Sequence, residues 1–371
     1  MARVLILGGS FAGQAAAEVL ARRRDVELTL CDRLPAAEFR PLLPDVVGAG
    51  LPAELLRFDL SAFARRLDCS FVCREVLALD LKAGRAATAA GDLEYDFLVL
   101  AAGSEPKFLG GAGSVEHMLG FHDLADAGRL LERLGDPALR NLVVIGGGYT
   151  GAELASHLQA RAIAGGRPWR VILLEITPRI LPSLPERLSR CTQRNLVRMG
   201  VEVRTSTTAS RIGPREVELS GGEVLSEALA VWSASVQAGA VVRTLPAATG
   251  PNRRLEVDAR LRFAPNAFAC GDAAAVHRGG EVMRMGVQLA ISGGRCAAGN
   301  VLRLIRGRPL RDFSGSDPGV IVPMANGRSC ARVLGVRLGG RLPTWLHYFM
   351  SCYRTRGLRR RLALARALAR R

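Results

Sequence analysis

The sequence lacks the signatures of several protein classes. Its eight cysteines show no C-x-x-C spacing, which argues against zinc, an iron–sulfur cluster or a disulfide framework and favours small buried apolar side chains. Lysine is almost absent, with Lys82 and Lys107 alone, which we ascribe to base composition and not to chemistry. A predicted strand follows Met1 directly, so we expect no signal or transit peptide and folded domains that stay in the cytoplasm.

The chain has a large net positive charge, and most of that net charge lies at one end. The 371 residues carry a formal net charge of +17, and residues 318–371 contain twelve arginines and no acid. The length suffices for two or three domains, and 49% apolar and 23% charged residues are typical of soluble proteins. A basic C-terminal segment on an otherwise nearly neutral protein indicates that this end of the chain binds an anionic surface.

Two glycine-rich turns, each between an apolar strand and a helix, lie roughly 140 residues apart. In such turns the glycines let backbone N–H groups approach a pyrophosphate, and the helix N-terminus faces the negative charge. The first turn comprises Gly8, Gly9, Ser10, Phe11, Ala12 and Gly13, and the second includes Gly146, Gly148, Tyr149, Thr150 and Gly151.

An acidic residue completes each unit. Asp32 follows a predicted strand at 26–31, and Glu175 follows one at 170–174. A carboxylate at this point accepts hydrogen bonds from the ribose hydroxyls and repels a 2′-phosphate. The sequence therefore predicts two dinucleotide sites. Ser10 replaces the usual middle glycine of the first turn, and the close approach survives there only if its φ is ordinary.

The other predicted elements alternate like βαβ units, with no low-complexity linker, so we expect one domain inserted into another. A proline-punctuated segment at 39–44 fits neither a regular helix nor a central strand. The further predictions are helices at 55–67, 186–199 and 288–304, strands at 69–79, 95–100, 201–205 and 268–270, a hairpin around Gly221, and a return crossing to the first domain at 231–235.

Taken together, these segments resemble the two-dinucleotide flavoproteins and, more narrowly, the type II NADH:quinone oxidoreductases, which are single-subunit, non-pumping respiratory dehydrogenases. The resemblance covers essentially the whole chain. It implies an α/β fold of two Rossmann-like domains, the second inserted into the first. The implied parts are an FAD-binding domain at 1–112 and 236–317, an NADH-binding domain at 113–235, and a C-terminal amphipathic membrane-docking segment at 318–371.

The resemblance also assigns residues to non-covalent FAD and to NADH, and gives no metal site. For FAD, besides the first turn and Asp32, it implies Arg40, Pro41, Leu42, Val76, Ala101, Ala102, Gly103, Gly271, Asp272, Gln288, Leu289 and Ala290. For NADH it implies the second turn with Glu153 and Glu175.

Several of these residues have a simpler alternative role. Asp272 either accepts a hydrogen bond from a ribityl hydroxyl or caps a helix. Pro41 and Leu42 either wall the flavin or form a rigid loop. Glu153, expected in the first turn of its helix, either faces the gap between nicotinamide and flavin or stabilises the helix dipole. Glu153 and Gln288 are the catalytic candidates, although hydride transfer itself belongs to the cofactors.

The implied reaction is hydride transfer from NADH to flavin N5, followed by two-electron reduction of ubiquinone or menaquinone, with the quinone entering from the membrane side past Gln288. Two positions depart from the family pattern. The turn at 232–235 lacks the usual glycine, and Ser292 stands where the family has a second glutamine that helps to shape the quinone pocket. The identity of the electron acceptor therefore stays open.

Two other functions remain as alternatives. A sulfide:quinone oxidoreductase needs a reactive cysteine pair at the flavin, and the sequence offers Cys330 alone. A soluble FAD- and NADH-binding protein of the apoptosis-inducing-factor or ferredoxin-reductase type would act with a protein partner. Disulfide reductases of this superfamily are disfavoured because their redox C-x-x-x-x-C or C-x-x-C motif is missing.

The tail has the composition of a membrane-surface segment. Residues 342–353 include Trp345, Tyr348 and Tyr353, and their apolar run of about a dozen residues is too short to span a bilayer. A solvated basic helix and a nucleic-acid patch are the alternatives. We expect peripheral binding to the cytoplasmic face of the membrane and no nucleic acid, and a homodimer stays open. The helix that follows has Leu358, Leu362, Ala365 and Leu368 at helical spacing among Arg359, Arg360, Arg361, Arg366, Arg370 and Arg371.

Overall fold

The computed structural model describes residues 1–108, 115–315 and 317–369. The chain forms two compact units. The first unit comprises Met1–Ala37, Phe58–Glu105 and Val236–Asp317, and the second comprises Glu38–Arg57, Pro106–Ser235 and Pro318–Arg371. The predicted domain boundary at 112/113 lies outside the described residues, as do Arg370 and Arg371. The structure also groups residues 38–57 with the second unit, whereas the sequence analysis assigned them to the FAD-binding domain.

The helices and strands have the following bounds. The helices are α1 (Phe11–Leu20), α2 (Leu43–Ala49), α3 (Leu60–Leu67), α4 (Leu124–Arg133), α5 (Tyr149–Ala164), α6 (Glu186–Met199), α7 (Val287–Ile305), α8 (Arg341–Arg354) and α9 (Leu358–Ala369). The strands are β1 (Ala2–Leu7), β2 (Val26–Asp32), β3 (Ala36–Glu38), β4 (Arg57–Asp59), β5 (Ser70–Cys73), β6 (Val76–Asp80), β7 (Arg85–Thr88), β8 (Leu93–Glu94), β9 (Phe97–Leu100), β10 (Ser104–Pro106), β11 (Met118–Gly120), β12 (Asn141–Ile145), β13 (Arg170–Leu174), β14 (Glu202–Arg204), β15 (Ala209–Ile212), β16 (Glu216–Leu219), β17 (Val224–Ser226), β18 (Ala228–Trp232), β19 (Val236–Ala238), β20 (Leu255–Glu256), β21 (Arg262–Ala264), β22 (Ala267–Ala269), β23 (Ala274–Ala275), β24 (His277–Arg278), β25 (Glu281–Val282), β26 (Gly319–Val322), β27 (Ser329–Val333) and β28 (Val336–Gly340).

The first unit is built on a six-stranded sheet in the order β21-β22-β9-β1-β2-β5, parallel except between β21 and β22. Residues Val4 to Leu7 are all buried, as expected for a parallel strand covered on both faces. Val4 and Ile6 pack in one apolar cluster with α1, α3 and α7, and Leu5 and Leu7 pack in another with the antiparallel strands β6 and β7.

The second unit repeats this plan. Its five-stranded sheet has the order β11-β18-β12-β13-β14 and is parallel throughout. Leu142 and Val144 pack with α2, α4, α5 and α6, whereas Val143 and Ile145 pack with the antiparallel strands β15, β16 and β17. The predicted α/β fold of two Rossmann-like units is thereby confirmed.

The C-terminal part of the second unit is an antiparallel sheet of β26, β27 and β28 followed by α8 and α9. A disulfide joins Cys191 in α6 to Cys330 in β27, with the Cα atoms 6.3 Å apart. The expectation that every cysteine is a buried apolar side chain, with Cys330 unpaired, is therefore wrong for this pair, and it is also wrong for Cys73, which is exposed. None of the helices within the described residues is long and apolar enough to cross a membrane.

Several predicted elements need correction. The helix predicted at 55–67 starts only at Leu60, because Asp59 caps it by accepting a hydrogen bond from the N–H of Ala62 at 2.8 Å. The strand predicted at 69–79 is divided into β5 and β6. The segment at 39–44 was expected to exclude helix, yet α2 begins there, with Pro44 in the first turn, where its missing N–H costs nothing. The helix predicted at 186–199 is confirmed.

Candidate nucleotide-binding sites

The first glycine turn follows β1, at the point where the strand order of its sheet reverses. Open α/β sheets bind ligands at this point. Gly8 has a φ of +109°, and a Cβ there would collide with the carbonyl group of Ala101, so glycine is required. The Gly8 N–H donates to the carbonyl of Cys31 at 2.8 Å, and the Gly9 N–H donates to Oδ2 of Asp32 at 2.6 Å. The turn and the predicted ribose-binding carboxylate are thus held together.

Ser10 meets the condition that the sequence set for it. Its φ of −86° and ψ of −156° are ordinary extended values, so serine replaces glycine without strain. Its side chain makes no capping hydrogen bond to α1. The first N–H groups of a helix have no partner within the helix, so those of Phe11, Ala12 and Gly13 suit a phosphate.

The second turn repeats this geometry after β12. Gly146 has a φ of +111°, and a Cβ there would collide with the backbone of Ala234. The Gly146 N–H donates to the carbonyl of Leu174 at 2.8 Å, and the Gly147 N–H donates to Oε2 of Glu175 at 2.9 Å. Helix α5 starts at Tyr149, so the N–H groups of the second turn are arranged as those of the first.

Glu175 is more deeply placed than Asp32. It is 7% exposed, and its Oε1 accepts hydrogen bonds from the backbone N–H and the hydroxyl of Thr177, at 2.9 and 2.8 Å. A carboxylate has about four acceptor positions. With three occupied inside the protein, Oε2 retains capacity for a ribose hydroxyl.

Other predicted FAD residues converge in the first unit. Asp272 lies in a 3-10 helix (Gly271–Ala273), and its Oδ2 accepts a hydrogen bond from the hydroxyl of Ser104 at 3.0 Å. The alternative that Asp272 caps a helix is wrong, because Cys270 holds the cap position of this element. One cavity brings Gly271 and Asp272 together with Leu289 and Ala290, from the first turn of α7.

The same cavity is also lined by a residue that the sequence analysis missed. Arg254 lines it, is 6% exposed, and donates from Nη1 to the carbonyl of Met283 at 2.8 Å, while its Nε has no hydrogen-bond partner. Burial lowers the pKa of this guanidinium, and the nearby Asp272 and Glu256 carboxylates oppose that shift. Its only signal in the sequence was a charge between two predicted strands.

The remaining predicted residues are more scattered. Arg40 lies in a 3-10 helix (Arg40–Leu42) of the second unit and contacts Nε2 of His122 at 2.7 Å. Leu42 is 0% exposed within the apolar core of that unit, which favours a packing role over a wall of the flavin. Val76 begins β6 and is buried in the first unit. The assignment of these residues to FAD stays a prediction.

Glu153 differs from its expected setting. It is the fifth residue of α5, whose first turn contains no acid, so the predicted position and the helix-dipole role are wrong. It is 3% exposed, and its Oε1 has no hydrogen-bond partner. Burial, helped by the charge of Asp45, raises its pKa well above the usual value of 4.5. The Tyr149 hydroxyl, at the start of the same helix, donates to the carbonyl of Ile321 in β26.

Comparison with known proteins gives concordant results. The model of the pyridine nucleotide-disulphide oxidoreductase family matches residues 2–294. An NADH dehydrogenase-like protein of Mycobacterium tuberculosis is 32% identical over 330 residues, which cover 84% of this chain and 82% of that protein. The type II NADH:quinone oxidoreductase NdhA of the same organism is 30% identical over 344 residues, covering 82% and 72%. The fold is similar to that of NDH2 from Plasmodium falciparum in complex with NADH, with a TM-score of 0.88, 14% identity and coverage of 99% and 97%.

Proposed function

The chain belongs to the pyridine nucleotide-disulphide oxidoreductase family, and we propose that it acts there as a type II NADH:quinone oxidoreductase. It uses FAD, oxidises NADH and reduces a quinone. The observation that carries this proposal is the duplicated turn, in which Gly9 and Gly147 each donate a backbone hydrogen bond to the carboxylate that follows the next strand. Two relatives, from Mycobacterium tuberculosis and Haemophilus influenzae, are named type II NADH:quinone oxidoreductases.

Each unit has groups suited to one nucleotide. In the first unit, the N–H groups at the start of α1 suit the FAD pyrophosphate, Asp32 suits the ribose, and Asp272 suits a ribityl hydroxyl. In the second unit, the start of α5 and Glu175 suit NADH in the same way. When bound, the flavin supplies the redox chemistry, accepting a hydride and returning two electrons.

The protein contributes orientation and electrostatics to this reaction. Gln288 is the second residue of α7, next to Leu289 at the cavity that contains Asp272, so its amide is a candidate to orient the reacting groups. The carboxylate of Glu175 is expected to favour NADH over NADPH, because it repels a 2′-phosphate. The catalytic roles of Glu153 and Gln288 stay predictions.

We further propose peripheral binding of the C-terminal helices to the cytoplasmic face of an anionic membrane. Large apolar side chains are exposed along α8, with Trp345 at 69%, and Trp345 stacks on Phe349 with the ring centroids 5.8 Å apart. On α9, Leu358 and Leu362 are also exposed among arginines. Aromatic and leucine side chains with surrounding arginines are typical of helices that lie in the interface. Sedimentation of the purified protein measures whether it forms a homodimer.

Because Cys191 and Cys330 form a disulfide, sulfide is tested as a second substrate. The sequence argument against sulfide oxidation treated Cys330 as unpaired, and the disulfide corrects that part of the argument. Sulfide therefore belongs in the same assay as the quinones.

Stopped-flow reoxidation of the NADH-reduced protein tests the proposal. Ubiquinone and menaquinone analogues are expected to reoxidise the flavin, with sulfide failing to reduce it and ferredoxin failing to accept its electrons. A purified protein that contains no flavin and takes none up would contradict the FAD assignment. Removal of residues 341–371 is expected to abolish sedimentation with anionic liposomes and to lower turnover of a short-chain quinone only partly. Full-length protein that never sediments with such liposomes would exclude membrane binding.

A further inference from the structure

Three buried side chains in the second unit, one of them the predicted NADH residue Glu153, form a compact group of metal-ligating type. They are Asp45 of α2 and Glu153 and His157 of α5, and one ligand atom from each lies within 4.8 Å of the others. Glu153 and His157 are four residues apart, so they share one face of α5. All three are at most 3% exposed. The set combines two carboxylates with one imidazole in a site closed to solvent.

A second histidine faces this group from α8. Nε2 of His347 is buried without a hydrogen-bond partner. The charged groups that act on His347 are Asp45, His157 and Arg354, which places its ring beside the same cluster. The next residue, Tyr348, donates its hydroxyl hydrogen bond to Oδ1 of Asp45 at 3.0 Å.

The packing around His157 fixes its ring. A Cβ at position 48 would collide with Cβ, Cγ and Nδ1 of His157, so only glycine lets α2 pass this close to the imidazole. Gly48 lies in the same helix as Asp45. The close approach of α2 therefore brings the Asp45 carboxylate and the His157 ring together.

The Glu153 carboxylate requires compensation. A carboxylate that is held away from water beside a second carboxylate is costly to ionise without a positive partner of its own. Glu153 takes part in none of the ion pairs found among residues 1–108, 115–315 and 317–369. A divalent cation would neutralise both carboxylates and occupy the lone pair of Glu153 Oε1. The imidazole favours zinc and similar first-row ions over magnesium and calcium, which prefer oxygen ligands only.

We propose that Asp45, Glu153 and His157 bind a zinc-type divalent metal ion. Zinc prefers four ligands, and His347 of α8 is the candidate for the position that these three residues leave. Such an ion would join α2, α5 and α8 and so attach the helix that carries Trp345 to the NADH-side helix. The sequence analysis gave no metal site, because none of these ligands has a recognisable spacing apart from the pair in α5.

The test uses the full-length, flavin-containing protein with Zn²⁺ as the probe. After removal of loosely bound metal, elemental analysis is expected to find one zinc per chain. Addition of Zn²⁺ to chelator-treated protein should raise the melting temperature, and Mg²⁺ or Ca²⁺ should not. His157→Gln and His347→Gln should each weaken zinc binding by about 100-fold or more, at or beyond the upper end of the 10–100-fold that loss of an outer-shell partner costs. The matched control is His277→Gln, because His277 is an exposed residue of the first unit paired with Glu256.

Two results would overturn the proposal. The first is a folded, yellow wild-type protein that holds no stoichiometric zinc and whose melting temperature ignores Zn²⁺, since protons would then neutralise the carboxylates. The second is a thiolate-to-metal charge-transfer band in the Co²⁺-loaded wild-type protein, since that places the ion on cysteines. A Co²⁺ spectrum of nitrogen and oxygen ligands alone supports the proposal even where the histidine variants do not fold.

Discussion

The two glycine turns use the same backbone with different side chains. Gly8 and Gly146 have φ values of +109° and +111°, and each donates its N–H to the carbonyl of a residue near the end of the neighbouring strand at 2.8 Å. In each unit, a Cβ at this glycine would collide with a residue that follows a neighbouring parallel strand of the same sheet. That residue is Ala101, after β9, in the first unit and Ala234, after β18, in the second. The backbone geometry therefore defines a general dinucleotide turn.

The difference between the turns lies in what surrounds them. A Cβ at Gly9 would approach Cδ1 of Leu60 at 2.5 Å and Oδ2 of Asp32 at 3.3 Å, whereas one at Gly147 would approach Cβ of Glu175 and Cγ2 of Ile180 at 2.8 and 2.9 Å. The second turn is thus packed more closely against its own acidic residue. Because the two turns share a backbone and differ in the side chains around it, the two sites should respond differently to matched substitutions.

The largest expected effect comes from valine at the two equivalent glycines. Gly8→Val and Gly146→Val each place a β-branched side chain at positive φ, which costs about 1–3 kcal/mol before the collision with the facing backbone is counted. Gly8→Val is expected to yield protein without flavin. Gly146→Val should keep its flavin absorbance and lose reduction by NADH. A yellow Gly8→Val protein, or a colourless but folded Gly146→Val protein, would break the assignment of one nucleotide to each turn.

Loss of the disulfide should destabilise the second unit, which contains both of its cysteines. Cys191 and Cys330 are 139 residues apart, and a native disulfide that closes a long loop contributes about 2–5 kcal/mol. Cys191→Ser is therefore expected to lower the melting temperature and to remove its dependence on dithiothreitol. The control is Cys296→Ser in the first unit, where the thiol is free. Wild-type melting that is unchanged by dithiothreitol would show that the disulfide does not stabilise the protein.

Glu175→Gln tests whether the charge of this carboxylate selects NADH at the second site. The amide keeps the size and one acceptor for the Gly147 N–H but loses the charge. Charge-assisted hydrogen bonds contribute about 1.5–3 kcal/mol, so kcat/KM for NADH should fall about 10- to 100-fold while that for NADPH falls less. The control is Glu218→Gln, which removes an exposed partner of Arg211 on the hairpin. An unchanged ratio of NADH to NADPH activity would show that Glu175 does not select the nucleotide.

The sequence predicted these local features because each depends on a few neighbouring residues. The two turns and their acidic residues follow from strand, glycine and helix patterns alone, whereas the φ of Ser10 was a condition that the structure then met. The start of α3 was missed because a 3-10 turn and a short strand precede Asp59, and the hydrophobic pattern runs through both.

Features that join distant parts of the chain could not be predicted from the sequence. The disulfide joins two cysteines with no diagnostic spacing, and the burial of Arg254 depends on the cavity around it. The surroundings of Glu153 are built by Asp45 from another helix, so its position in α5 gave no indication of its raised pKa. Tertiary packing decided each of these.

The smallest expected effect comes from exchanging the third residues of the two turns. Ser10 and Gly148 are both extended, with φ values of −86° and −69°, and a Cβ at Gly148 would have no other atom within 4 Å. Ser10→Gly and Gly148→Ser should therefore each change the free energy of unfolding by less than about 1 kcal/mol, because neither backbone conformation requires glycine. Melting temperature measures the stability of both variants, while flavin content for Ser10→Gly and the KM for NADH for Gly148→Ser measure whether each site still binds its nucleotide. Since the Ser10 hydroxyl makes no capping bond, a Ser10→Gly protein that folds normally but loses its flavin would show that this hydroxyl binds the FAD phosphate, and the two turns would then differ in chemistry as well as in packing.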